Sequence, residues 1–291
     1  MAHDPPPDDL LSDDPARGWR GRIGRTLRDS LPYWAPRAGA PANAPDVIVI
    51  LLDDLGFSDF GCFGGEIRTA AIDRMAQRGL RFANYTTVPM CAPARAALLT
   101  GKNPHAVGAG WLTFNDPGFP GYRAGEITRD TPTLAEILRG QGWSTYMVGK
   151  WHNTAEHNVA PAADRASWPL ARGFDRFYGF LGGETHYFAP AQLVQDNAFL
   201  DHEVYRAGYY CTDDWTDKAI AWMKEHAGTA PDKPFFLYVA HNAPHAPLHA
   251  KAEDLARYRG RFDAGWDALR AARVARQQAE GIFTTSPALP P

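Results

Sequence analysis

The sequence predicts an α/β chain, with a largely parallel or mixed central sheet flanked by helices, on three observations. Asp46-Val47-Ile48-Val49-Ile50-Leu51-Leu52 is a continuous apolar run rich in β-branched residues, the pattern of a strand buried on both faces. Strand-like runs at 144–149 and 235–240 each follow a stretch with helical spacing, at 134–140 and 212–223. All three runs end abruptly in polar residues, and ligands in open α/β sheets bind outside the carboxyl ends of the strands.

In chain order, residues 1–45 form a Pro/Arg-rich extension with Pro5-Pro6-Pro7, acidic clusters and no apolar core of an export signal. Trp19, Ile23, Leu27 and Leu31 recur every four residues, which fits either a short helix docked on the domain or a loosely ordered tail. Residues 46–281 read as one large domain, and 282–291 as a tail.

The first apolar run delivers Asp53 and Asp54 to its carboxyl end. Paired acids there bind a hard divalent cation through oxygen; alternatively, one caps the next helix while the other is solvated. Cys91 opens Cys91-Ala92-Pro93-Ala94-Arg95, and Pro93 in a first helical turn loses nothing by lacking an N–H. A thiol at such a helix mouth beside Arg95 is either an activated nucleophile or a buried structural thiol before an Ala/Leu-rich helix. Arg95 itself has the fork geometry that grips a sulfate or phosphate oxygen pair.

Thr133-Leu134-Ala135-Glu136 has the spacing of a capping box and predicts a helix start. The following strand leads into Lys150-Trp151-His152. There Lys150 offers a point charge for an oxyanion and His152 exchanges protons near neutral pH, or the two are a surface lysine and a satisfied histidine. Residues 159–230 are irregular and rich in aromatics, more often packing than substrate wall, and Asp196-Asn197 reads as a turn. The last strand leads to Pro244-His245-Ala246-Pro247, where two prolines fix the loop that presents His245, while His241 and His249 read as ordinary loop histidines.

Net charge is −3, from 30 basic and 33 acidic residues, which gives no support for a nucleic-acid partner. Three cysteines, Cys62, Cys91 and Cys211, make no disulfide framework, so a cytoplasmic setting is expected. The longest clear apolar run, 47–52, is far short of the ~20 residues of a membrane span.

Four segments, in order, resemble the signatures of type I sulfatases: Asp53-Asp54-Leu55-Gly56, Cys91-x-Pro93-x-Arg95 with Leu98-Leu99-Thr100-Gly101, Gly149-Lys150-Trp151-His152, and Pro244-His245-Ala246-Pro247-Leu248. The resemblance is especially close to bacterial arylsulfatases. It implies an alkaline-phosphatase-like α/β fold and hydrolysis of a small-molecule sulfate ester. It implies conversion of Cys91 to formylglycine by a formylglycine-generating enzyme, and a divalent metal, Ca2+ or else Mg2+ or Mn2+, held by Asp53, Asp54 and the oxygen of modified Cys91. It gives Lys150 the sulfate oxygens, Arg95 and His152 the nucleophile, and His245 the leaving group.

Relatives with the same Cys-x-Pro-x-Arg signature cleave phosphonate monoesters or phosphodiesters, and a non-catalytic remnant is the third reading. The family's second metal-ligand pair, Asp-Asn at the end of a later strand, has no equivalent after Gly281. The expectation is therefore an incomplete domain lacking its C-terminal part, with unpaired sheet edges and an uncovered apolar face that invite association.

Overall fold

The computed structural model describes residues 19–34, 39–200, 206–283 and 285. Its sheet contains β1 (Val47–Asp53), β2 (Ser144–Lys150), β3 (Arg176–Phe180), β4 (Val194–Gln195), β5 (Ala198–Phe199) and β6 (Phe235–Pro244), in the spatial order β1-β6-β2-β3-β4-β5. β1, β6, β2 and β3 run parallel, while β4 and β5 add antiparallel at one side, so the sheet is mixed. The helices are α1 (Ala70–Arg78), α2 (Cys91–Thr100), α3 (Leu134–Gly140), α4 (Cys211–Thr229), α5 (Ala252–Arg257) and α6 (Trp266–Ala279).

The period of two in β6 assigns each face its own core. Phe236, Tyr238 and Ala240 join Ala96 and Leu99 of α2, Met147 and Phe177 on one side. Phe235, Leu237 and Val239 join Trp215 and Trp222 of α4 on the other. The predicted capping box is present: Thr133 Oγ1 accepts from the Glu136 amide at 3.1 Å, and Glu136 accepts from the Thr133 amide at 2.7 Å. The 212–223 helix is real and longer than its pattern: Trp215, Ala219 and Trp222 are buried along it, and His226 continues that buried series past 223.

Three expectations need correction. β1 is not buried on both faces: Val47, Val49 and Leu51 pack on the α2 side, but Ile48 and Ile50 are 48% and 50% exposed. β1 is an edge strand, and α4 packs on β6, β2 and β3 without covering it. The four-residue spacing at the N-terminus forms no docked helix; Arg22 bridges Leu31 antiparallel, a single 3-10 turn spans Leu27–Asp29, and Ile23 and Leu27 are exposed. Lastly, the region 159–230 holds a strand of the main sheet, β3, that its aromatic composition hid. Most aromatics of that region pack: Phe174, Phe177, Tyr178, Phe180 and Tyr187 are buried, whereas Phe188 is exposed and Tyr205 lies outside the described residues. Asp196-Asn197 is the two-residue turn between β4 and β5, as expected.

Candidate active site

The parallel strands end together, and each delivers polar residues to one end of the sheet. The register of β1 against β6 slips after Leu51, which pairs with Ala240, so that Asp53 lies beside Pro244. That slip carries the loop after β6 back over the end of β1 and sets His245 Nε2 3.7 Å from Asp54 Oδ2. The capping alternative for the two acids falls, because the next α-helix starts only at Ala70, with Thr69 before it. Asp54 stands in the left-handed region, φ +63°, with its side chain largely in solvent; Asp53 is buried.

Asp53 faces two cations, accepting a hydrogen bond from Lys150 and forming an ion pair with Arg95. Lys150 Nζ reaches its Oδ2 at 2.5 Å and Arg95 Nη2 its Oδ1 at 3.3 Å, while Arg95 Nη1 donates to the Lys150 carbonyl at 2.8 Å. Lys150 is no surface lysine: it is 0% exposed, and Arg95 is 1% exposed. Two buried cations share one carboxylate, so the cluster carries surplus positive charge in a low-dielectric setting. Burial and then Arg95 push the Lys150 ammonium below its ordinary range, against the opposing pull of Asp53 and the Cys91 thiol.

Cys91 is the first residue of α2 and half-buried, with Pro93 in the first turn. The start of this helix is held by Asn153, whose Nδ2 donates to the carbonyls of Ala92 at 3.1 Å and Gly125 at 2.9 Å. Asn153, next to the recognised Lys-Trp-His string, was missed at the level of sequence because its partners are backbone atoms remote in the chain.

His152 is buried, in the left-handed region at φ +57°, with its amide donating to the Leu181 carbonyl at 3.1 Å. Its Nδ1 is buried without a partner. Burial first, then the charges of Lys150, Arg95 and His245, hold its pKa well below the usual histidine value, so the ring is neutral at pH 7. Gly183 lies against this ring: a Cβ there would stand 2.7 Å from His152 Nε2, which only glycine avoids. Gly149, one residue before Lys150, is similarly required, since a Cβ would meet the Ala240 carbonyl of the neighbouring strand.

His245 is fixed at both ends. Its Nδ1 donates to the Ala246 carbonyl at 2.7 Å, which leaves Nε2 turned toward Asp54. The Tyr187 hydroxyl sits between the carbonyls of His245, at 2.7 Å, and Asn242, at 3.0 Å, and burial raises its pKa far enough to keep it a donor. Of the other two histidines, His241 belongs to β6 rather than to a loop and is depressed by burial, and His249 stacks near His186; neither lines the site.

Cys91, His152 and His245 floor an open cleft of about 520 Å³. Leu112, Phe114 and Val159 give its walls apolar surface, and Glu156, Glu184 and Gln192 give them polar groups. Arg95, Lys150 and Asp53 stand behind the floor rather than on it. The wall residues escaped sequence reasoning, although the Gly182-Gly183-Glu184 run just beyond β3 obeys the same strand-end rule as the others. A second cleft of about 550 Å³ lies between Glu66 and α6, but it holds none of the predicted site residues.

For a divalent cation the chain offers Asp53 and Asp54, oxygen donors of the right kind. Calcium takes six to eight such ligands, at roughly 2.3–2.6 Å. Asp53 is already engaged by Lys150 and Arg95, and no cluster of three or more His, Cys, Asp or Glu suited to a metal exists among the described residues. The chemistry of the donors fits; their number does not.

Comparison with known proteins agrees with this geometry. The family model described as Sulfatase matches residues 45–285. The chain is 36% identical to the arylsulfatase of Klebsiella aerogenes over 263 residues, covering 86% of this chain and 54% of that protein. It is 36% identical to mouse arylsulfatase J over 236 residues, covering 77% of this chain and 36% of that protein. Among solved structures, Ps i-CgsB superposes with a TM-score of 0.64 at 29% identity, over 82% of this chain and 53% of that one. The chain thus spans about half the length of such relatives or less, and it shares their α/β fold. Strand ends, helix start and family model converge on one conclusion: this chain belongs to the type I sulfatase family.

Proposed function

We propose that the chain hydrolyses sulfate monoesters in the cleft floored by Cys91, His152 and His245. The observation that carries this reading is the buried pair Lys150 and Arg95, incompletely neutralised by Asp53, directly behind a half-buried cysteine at a helix N-terminus. Surplus positive charge and free helix N–H groups together favour an oxyanion.

In this reading a formylglycine-generating enzyme converts Cys91 to formylglycine, whose hydrated aldehyde supplies the attacking hydroxyl. Neutral His152 takes a proton at the nucleophile, a role supported by its unpartnered Nδ1 and by its lining the same cleft as Cys91. His245 gives a proton from Nε2 to the departing alcohol oxygen in the form protonated at both ring nitrogens, its Nδ1–H staying on the Ala246 carbonyl. A new S–O bond forms to the nucleophile while the S–O bond to the alcohol breaks, and cleavage of the C–O bond at residue 91 then releases sulfate and returns the aldehyde, which water rehydrates. Lys150 and Arg95 hold the local potential positive. Asp53 and Asp54 are the oxygen donors this reading assigns to Ca2+, Mg2+ or Mn2+, too few for such an ion, and no step is routed through it.

The test is turnover of 4-nitrophenyl sulfate by the full chain co-expressed with the converting enzyme, in heavy-oxygen water. The expected result is label in sulfate and none in the phenol, with turnover abolished in Cys91→Ala. Undiminished sulfate release by Cys91→Ala contradicts the assignment.

A further inference from the structure

The cleft floor attracts an anion, but its rim does not. Glu156, Glu184 and Gln192 line the cleft, and all three are exposed. Among the described residues no lysine or arginine lines this cleft, and neither glutamate forms an ion pair there. Leu112 and Phe114 supply the apolar surface, with Phe114 63% exposed. Positive charge is therefore confined behind the floor, while the walls that meet the alcohol part of an ester carry two unneutralised carboxylates and an aromatic face.

We propose that this rim selects esters whose only negative charge is the sulfate itself, with a leaving group that is neutral or cationic and has a flat or apolar face. The inference rests on the sulfate-ester reading of the floor. A second anionic group on the leaving part meets Glu156 and Glu184 at short range and is repelled; an ammonium or hydroxyl donor is met by carboxylate acceptors, and an aryl ring or sugar face lies against Phe114.

Binding of three aryl sulfates of one size to the full chain, followed by calorimetry at low salt, tests this. The probes are 4-nitrophenyl sulfate, its 4-carboxy analogue and its 4-aminomethyl analogue. The expected order is ammonium, then nitro, then carboxylate, with about tenfold between the ends. The spread shrinks in high salt and collapses in Glu156→Gln/Glu184→Gln, an isosteric exchange at exposed positions that spares the fold. Equal binding of all three, or a ranking that survives in the double variant, overturns the inference while leaving the floor's reading intact. No binding of any of the three overturns both.

Discussion

Among single residues, Asp53 carries the heaviest burden, because it is the buried anion between Lys150 and Arg95. Asp53→Ala leaves two buried cations facing each other, and a loss of about 3–5 kcal/mol of stability is expected in urea unfolding. A change below about 1 kcal/mol contradicts the buried cluster. His152 gives a pH signature. Its folded pKa lies below the unfolded value of about 6.5, so between the two the unfolded chain binds more protons than the folded one. The corresponding stability is fully present above about pH 6.5 and is lost as pH falls toward the folded pKa, with a slope of up to about 1.4 kcal/mol per pH unit. His241, depressed by burial alone, adds in the same direction. Urea midpoints between pH 7.5 and 5 are expected to fall, and His152→Gln/His241→Gln to flatten that limb; an unchanged slope refutes the neutral buried state.

At the scale of elements, the close approach of the segment after β3 to His152 predicts that Gly183→Ala displaces the ring or the segment. The expected outcome is a drop in turnover of tenfold or more, an order-of-magnitude figure for a displacement near 1 Å, while the unfolding midpoint barely moves. Wild-type turnover in the variant contradicts the packing. Thr133→Ala removes the cap of α3 and a hydrogen bond to the Arg172 carbonyl, and about 1–2 kcal/mol of destabilisation is expected. β1, β2 and β6 were legible as apolar or strand-like runs ending in polar residues, and α3 and α4 by a cap or helical spacing in their own residues. β3 was not, since Arg-Phe-Tyr-Gly-Phe is short and sits among aromatics that have no alternation to read. Of the two readings open for the four-residue repeat at Trp19–Leu31, the docked helix fails because spacing alone makes no helix without a surface to bury it. Cys91, Lys150, His152 and His245 were found from strand ends and motifs; Asn153, Gly183 and the cleft walls depend on contacts between distant segments.

At the scale of the whole molecule, the exposed Ile48 and Ile50 on edge strand β1 leave an apolar face with free backbone groups. Concentration-dependent association of the isolated chain is expected in sedimentation velocity, and Ile48→Lys/Ile50→Lys is expected to suppress it. A strictly monomeric wild type at high concentration contradicts this view of β1. The metal belongs to this scale too: with two carboxylates and one of them engaged, calcium is expected to bind the chain weakly, and a chelator to leave its melting temperature unchanged.

All these scales meet at the residue that opens α2, so the chemical state of position 91 after co-expression with a formylglycine-generating enzyme is the most direct test. Mass spectrometry of the Cys91 peptide is expected to show the thiol replaced by an aldehyde that reacts with a hydrazide. An intact thiol, in a preparation where a control sulfatase is fully converted, contradicts the account.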